Sequence, residues 1–154
     1  MKIKIVCPGK IKEKWLSEGI AEYVKRLSKY AQLSIVEVPD SPDSFPVAKA
    51  LEAEGKAILS KIRSDEYVWV MDLHGKLLTS EELSENLMEG LERGGANLTC
   101  VIGGSNGLAP EVTARADLRI CLGKVTLTHQ MTRLILLEQL YRAFKIAGNE
   151  KYHK

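Results

Sequence analysis

The chain has 154 residues, 45% apolar and 27% charged, with 22 basic against 20 acidic side chains and a net charge of +2. This length suits one domain, spanning 1–154, with enough residues to bury a sizeable core, and the balance is that of an ordinary globular protein. The net charge alone does not announce a nucleic-acid binder, and no run of about eighteen apolar residues exists to suggest a membrane-spanning helix.

The opening "MKIKIVCPGK" is too polar, and its apolar part too short, for a secretory signal. A cytoplasmic location is therefore expected. "KIKIVC" (2–7) predicts a first strand. Residues 13–30 place Trp15 or Leu16, Ile20, Tyr23 or Val24, and Leu27 on one side at helical spacing. "LSIVEV" (33–38) alternates as a strand, and "PDSPDSFP" (39–46) is the clearest loop. Val47, Leu51, Ala57, Ile58 and Ile62 mark a helix over 47–63.

"YVWVMDL" (67–73) predicts a buried strand, which "HGK" is expected to break. Thr79 followed by Glu82 is a capping-box signature for a helix running to about Arg93, ended by "GGAN". "LTCVIGG" (98–104) predicts the next strand. Pro110 suits the first turn of a short helix ending near Ala116. "LRICLG" (118–123) predicts a last strand, and a long helix runs from about His129 to Ile146. This alternation predicts an α/β fold, a mostly parallel sheet with helices on both faces.

Cys7, Cys100 and Cys121 stand singly in apolar runs. They are expected as small buried strand residues in a reducing compartment, with no zinc site or other metal. From Lys124 onward there are six Lys or Arg against Glu138 and Glu150, so the C-terminal fifth is the basic end.

The stretch "VIGGSNGLA" (101–109) has the layout of strand, glycine turn and helix. It lacks the lysine of a phosphate-binding P-loop, and its glycines do not match a dinucleotide fingerprint. A tight connection with no ligand remains open at this point. Yet glycine or a breaker follows three consecutive predicted strands, at 71–75, 102–107 and 121–129. In a parallel sheet these ends share one edge, where ligands of open α/β folds bind. "LGKVTLTH" has no room for a regular strand and turn, and suits an apolar wall around a flat ring. Such a pocket suits an adenosine compound without phosphates better than ATP.

"VIGGSNGL" (101–108), "LTHQMTRLILLEQLYRAFKI" (127–146) and the terminal "YHK" (152–154) resemble the RlmH family of ribosomal large-subunit pseudouridine N3-methyltransferases. The similarity extends to "MKIKIVCPGKIKEKW" and "GIAEYVKRLSKY" and covers nearly the whole length. The resemblance implies a SPOUT-type fold with a C-terminal trefoil knot, S-adenosyl-L-methionine as methyl donor, a homodimer, and 23S rRNA in the assembled ribosome as substrate. By position it implies that Met71, Gly103, Gly104 and the stretch Leu122, Gly123, Lys124, Val125, Thr126 and Leu127 hold the cofactor. It associates His129, Arg142 and His153 with the reaction, and Tyr152 and Lys154 with the substrate. Thr128 stands where proline is common in the family, which suggests a less rigid loop. Lys154 stands where some members carry arginine, and lysine loses the planar fork.

Methyl transfer from a sulfonium needs no metal, because the leaving thioether is neutral. N3 of pseudouridine must lose a proton, so a base or a cation stabilising the imide anion is expected. His129 and His153 are the chemically sensible bases. A tail folded over the target base, with Tyr152 stacking, His153 near N3 and Lys154 on a phosphate, is the arrangement expected, within one chain or across a dimer. Arg133 and Arg142 lie about two and a half turns apart and so on opposite faces of their helix. Arg133 is expected at the surface or a dimer interface, and Glu138 in a salt bridge to a nearby arginine. Leu134, Leu137, Tyr141 and Phe144 are expected in the core or dimer interface. The alternatives are a noncatalytic ribosome-binding or assembly factor and an adenine-nucleotide enzyme of flavodoxin-like architecture.

Overall fold

The computed structural model describes residues 1–154. Its elements follow the order β1 (Lys2–Pro8), α1 (Lys14–Leu27), β2 (Gln32–Val38), α2 (Val47–Leu59), β3 (Val68–Leu77), α3 (Ser80–Arg93), β4 (Asn97–Ile102), α4 (Pro110–Arg115), β5 (Leu118–Cys121) and α5 (His129–Ala147). Every element expected from the sequence is present and of the expected type. Expected and observed ends differ by a few residues, and most at β3.

The five strands form one sheet in the order β2-β1-β4-β3-β5. All four neighbouring pairs are parallel. Alternation along each strand divides the core in two. Ile3, Ile5, Cys7, Trp69, Met71, Leu98, Cys100 and Ile102 face a large layer packed under α1, α3 and α5. Val6, Val38, Val68, Val70 and Val101 face a smaller layer under α2 and α4. Connections made by α1 and α3 step one way across the sheet, and those made by α2 and α4 step the other way on the opposite face. All four crossovers therefore share one hand, as parallel connections require.

Local chemistry explains the boundaries. Thr79 Oγ1 accepts from the Glu82 amide at 3.1 Å, and Glu82 Oε2 accepts from the Thr79 amide at 2.7 Å, closing the capping box of α3. Leu136, Leu137 and Leu140 of α5 are fully buried, each worth about 1.5–3 kcal/mol relative to exposure. No helix is long and apolar enough to cross a membrane.

Two expectations are corrected. "HGK" does not end its strand. Met71 and Lys76 both pair with Ile120, so residues 72–75 form a bulge and the strand resumes to Leu77. Gly75 is needed there, because a Cβ would lie 2.6 Å from the Arg119 carbonyl carbon on β5. Arg133 is not at the surface: it is 2% exposed, with Nη1 2.9 Å from Glu37 Oε2 and Nη2 donating to the Gly9 carbonyl at 3.2 Å. The turn after β1 supplies acceptors that a helical wheel cannot reveal.

Candidate active site

The C-terminal ends of β3, β4 and β5 and the first turn of α5 enclose a cleft of about 830 Å³. That volume lies within the usual range for small-molecule sites. Three irregular segments build its walls: the bulge 72–75, the glycine turn 103–107 and the loop 122–128.

The glycine turn folds tightly on itself. The Gly107 amide donates to the Gly104 carbonyl at 3.0 Å, and Gly107 has a φ of +88°. A side chain on Gly103 would begin 2.6 Å from the Gly107 carbonyl oxygen. The close approach made by Gly103 is therefore first of all to its own turn. Loop 122–128 is fixed at its start by the Cys121 thiol, which donates to the Gly123 carbonyl at 3.0 Å. Leu122 and Leu127 are half-buried in the wall, while Val125 is 71% exposed at its lip.

Helix α5 begins at the cleft. Thr128 is its N-cap, with Oγ1 accepting from the Met131 amide at 3.1 Å. Thr128 thus ties the loop end to the helix. His129, Gln130 and Thr132 line the cleft, and the positive end of a 19-residue helix faces it.

The cleft brings together Met71, Gly103, Gly104, Leu122, Gly123, Val125, Thr126, Leu127 and His129. Lys124 belongs to the same loop but is exposed and outside the lining. Sequence reasoning missed Asp72, His74, Ser105, Thr113 and Arg119, which also line it. Asp72 accepts from the His74 amide at 3.0 Å and from Arg119 Nη1 at 3.2 Å. Asp72 follows Met71 directly, so the sheet-edge argument carried one residue further would have reached it. His74 and Arg119 meet the cleft only through the bulge. No lysine lines the site, and its single arginine is paired. This donor set lacks a polyphosphate clamp and fits a nucleoside ligand without phosphates.

The other residues singled out form a separate cluster. Arg142 is nearly three quarters of the way along α5, about 20 Å from His129 at the helical rise. Its guanidinium donates to Glu138 Oε1 at 2.6 Å, the salt bridge expected for Glu138. The tail folds back onto this point. Tyr152 donates to Glu138 Oε1 at 3.1 Å and lies under the Arg142 guanidinium, 4.8 Å from its ring centroid. Burial, with hydrogen bonds to Tyr23 and Glu138, raises the Tyr152 pKa to about 12. His153 Nδ1 lies 3.3 Å from Arg142 Nη1, and Nε2 lies 2.8 Å from Glu81 Oε1. A guanidinium only donates, so the tautomer that satisfies both contacts carries its proton on Nε2. Lys154 is exposed. The expected tail over the base is thus not found within one chain: Arg142, Tyr152, His153 and Lys154 are outside the cleft lining.

Leu137 and Phe144 are buried in the core, and Leu134 and Tyr141 pack against it. All three cysteines are free and buried, as expected. Burial raises Cys7 to about 11 and Cys100 to about 12, so neither is a ready thiolate. No group of three His, Cys, Asp or Glu side chains comes together to hold a metal ion.

A glycine turn, an irregular apolar loop and the start of the following helix thus surround one cleft at the edge of a parallel sheet. Residues 1–153 match the family described as "Predicted SPOUT methyltransferase", and the chain belongs to that family. The sequence is 50% identical to the "Ribosomal RNA large subunit methyltransferase H" of Carboxydothermus hydrogenoformans, and 48% identical to the protein so named in Enterococcus faecalis. Both alignments cover 100% of each chain. The family resemblance read from the sequence is thus borne out over the whole length of these relatives. Among solved structures, a probable methylase family protein from Haemophilus influenzae has a TM-score of 0.53 at 19% identity, covering 96% of this chain and 66% of that one. The tRNA (m1G37) methyltransferase from Aquifex aeolicus gives 0.51 at 14% identity, covering 92% and 70%. These two show the shared fold.

Proposed function

We propose that the protein transfers a methyl group from S-adenosyl-L-methionine to N3 of a pseudouridine in 23S rRNA, acting as a homodimer on the assembled ribosome in the cytoplasm. The observation that carries this reading is the convergence of Met71, the glycine turn and loop 122–128 on one cleft that opens onto the start of α5. The relatives' name supports large-subunit rRNA as the substrate.

When bound, the donor supplies a methyl group on a positively charged sulfur. Main chain at Gly103 and Gly104 and the apolar wall of Leu122, Val125 and Leu127 grip its adenosine part and exclude water. With Gly123 and Thr126 they orient it for in-line transfer. Lys124 serves the loop from its outer side. His129 accepts the N3 proton, a role supported by its place in the cleft wall. The amides at the start of α5 stabilise the imide anion that forms. The imidazole would carry the proton away, freeing the nitrogen pair for the methyl that the bound donor would supply, while the thioether would leave with the electrons of the broken bond.

The basic tail acts across the dimer. Within one chain it packs about 20 Å from the start of α5 along the helix, so His153, Tyr152, Arg142 and Lys154 of the partner subunit complete the substrate side. Ile135, half-buried on α5 and outside both core layers, supports this helix as the dimer contact. The C-terminal segment is knotted, a reading supported by β5 lying at the sheet edge while α5 returns over its middle to pack on α1 and α3.

Calorimetry with S-adenosylmethionine, ATP and NAD should give binding of the first alone. Incubation of ribosomes lacking the modification with labelled donor should place one methyl on N3 of a pseudouridine. Donor binding without transfer would favour an assembly factor, and binding of ATP or NAD instead would reject the reading.

A further inference from the structure

Glu54 of α2 is 4% exposed, yet Oε1 has no hydrogen-bond partner. Oε2 has only a 3.4 Å contact from the Ser41 amide. Every other carboxylate buried to a similar degree is neutralised: Glu66 lies 2.8 Å from Lys4 Nζ and accepts from Thr99 at 2.6 Å. A carboxylate withdrawn from water without a counter-charge is costly, and folded chains rarely keep one. Its direction is informative. Oε1 lies 2.6 Å from the point where a side chain on Gly104 would begin, and Gly104 lines the cleft. The carboxylate therefore sits one residue's thickness behind the cleft wall, aimed at its glycine turn.

Charge inside the cleft sharpens the point. Asp72 is matched by Arg119 at 3.2 Å, and no lysine lines the walls. The low-dielectric protein between Glu54 and the cleft screens the field weakly compared with water. When ionised, Glu54 presents a ligand there with a negative charge that the ligand does not touch.

We propose that Glu54 is a specificity-determining residue that makes the cleft prefer a sulfonium over the neutral thioether left after transfer. It acts through space, across Gly104, and rests on the reading of the cleft as the S-adenosylmethionine site. A field of this sign favours entry of the cationic donor and release of the uncharged product. Because the carboxylate sits behind the turn, it adds this preference without occupying room that the ligand needs.

The test compares affinities for S-adenosylmethionine and S-adenosylhomocysteine by calorimetry at pH 7.5 in wild type, Glu54→Gln and Glu54→Asp. Glutamine has nearly the same shape without the charge, whereas aspartate keeps the charge. Glu54→Gln should lower the sulfonium-to-thioether affinity ratio about tenfold, the effect of a unit charge about 12 Å away at an effective dielectric near 20. Glu54→Asp should retain most of the wild-type ratio. Both ligands are measured on one preparation, so a partly unfolded variant leaves the ratio intact. An unchanged ratio in Glu54→Gln, or equal loss of both affinities, would overturn the proposal and leave a packing role. Failure of the wild type to bind either ligand would instead overturn the reading of the cleft.

Discussion

Glu54 and Gly104 occupy one space from two sides: a Cβ on Gly104 would lie 2.6 Å from Glu54 Oε1, and one on Gly103 would lie equally close to the Gly107 carbonyl oxygen. The distances agree but the obstacles differ. A carboxyl at the end of a side chain can rotate away, while a backbone carbonyl takes the whole turn with it. Gly104→Ala should therefore cost about 1–2 kcal/mol, and Gly103→Ala about 3 kcal/mol or more, in urea unfolding. Adding Glu54→Ala should recover part of the loss in Gly104→Ala and none of that in Gly103→Ala. Strict additivity in both pairs would refute the account.

Arg133 holds the turn after β1 through Glu37 and the Gly9 carbonyl. Arg133→Ala removes a buried guanidinium but leaves Glu37 partly open to water, so the cost should be about 2–4 kcal/mol. Arg133→Lys should not restore stability, because one ammonium does not reproduce a fork that spans two acceptors. Chemical denaturation of both variants measures this, and a loss below about 0.5 kcal/mol would contradict it.

The buried Glu66 carboxyl predicts an acid limit to stability. Burial pushes its pKa up, but hydrogen bonds from Lys4 and Thr99 and the charge of Lys4 outweigh that, leaving it below its ordinary value of 4.5. A depressed folded-state value means that the stabilisation is fully present above about pH 4.5 and is lost as pH falls through the folded value. Glu66→Gln should lower stability at pH 7 by about 1–3 kcal/mol. Its disadvantage should shrink below pH 4.5, which melting curves from pH 7 to pH 3 would reveal. A constant gap across that range would exclude the linkage.

The tail supplies a functional test. Deleting 152–154 removes the contacts of Tyr152 with Glu138 and of His153 with Arg142 and Glu81, none of which borders the cleft. Donor affinity should change less than about threefold while methyl transfer to ribosomes falls by about 10² or more. Loss of both together would assign the tail a structural role instead. Mixing the deletion with a His129→Ala chain should restore activity in the heterodimer, if cleft and tail come from different subunits.

The cleft wall was legible where chemistry is local. Gly103, Gly104 and 122–127 stand out because glycine pairs and an irregular apolar run at strand ends have few other uses. Asp72, His74 and Arg119 were not legible, because a four-residue bulge between two paired stretches looks like a strand that has ended. The chemistry of the tail stands out in the sequence, but its resting place on Glu138, Arg142 and Glu81 depends on how α3 packs beside α5.

By itself, the sequence determined the elements, their order, the parallel sheet and the edge at which the cleft opens, since periodicity and capping act over a few residues. Only the tertiary structure decided that Arg133 is buried, that Glu54 lies unpaired behind Gly104, and that His129 and His153 sit at separate places on one chain. Those relationships join residues tens of positions apart, and burial and charge at such points exist only once the layers have packed.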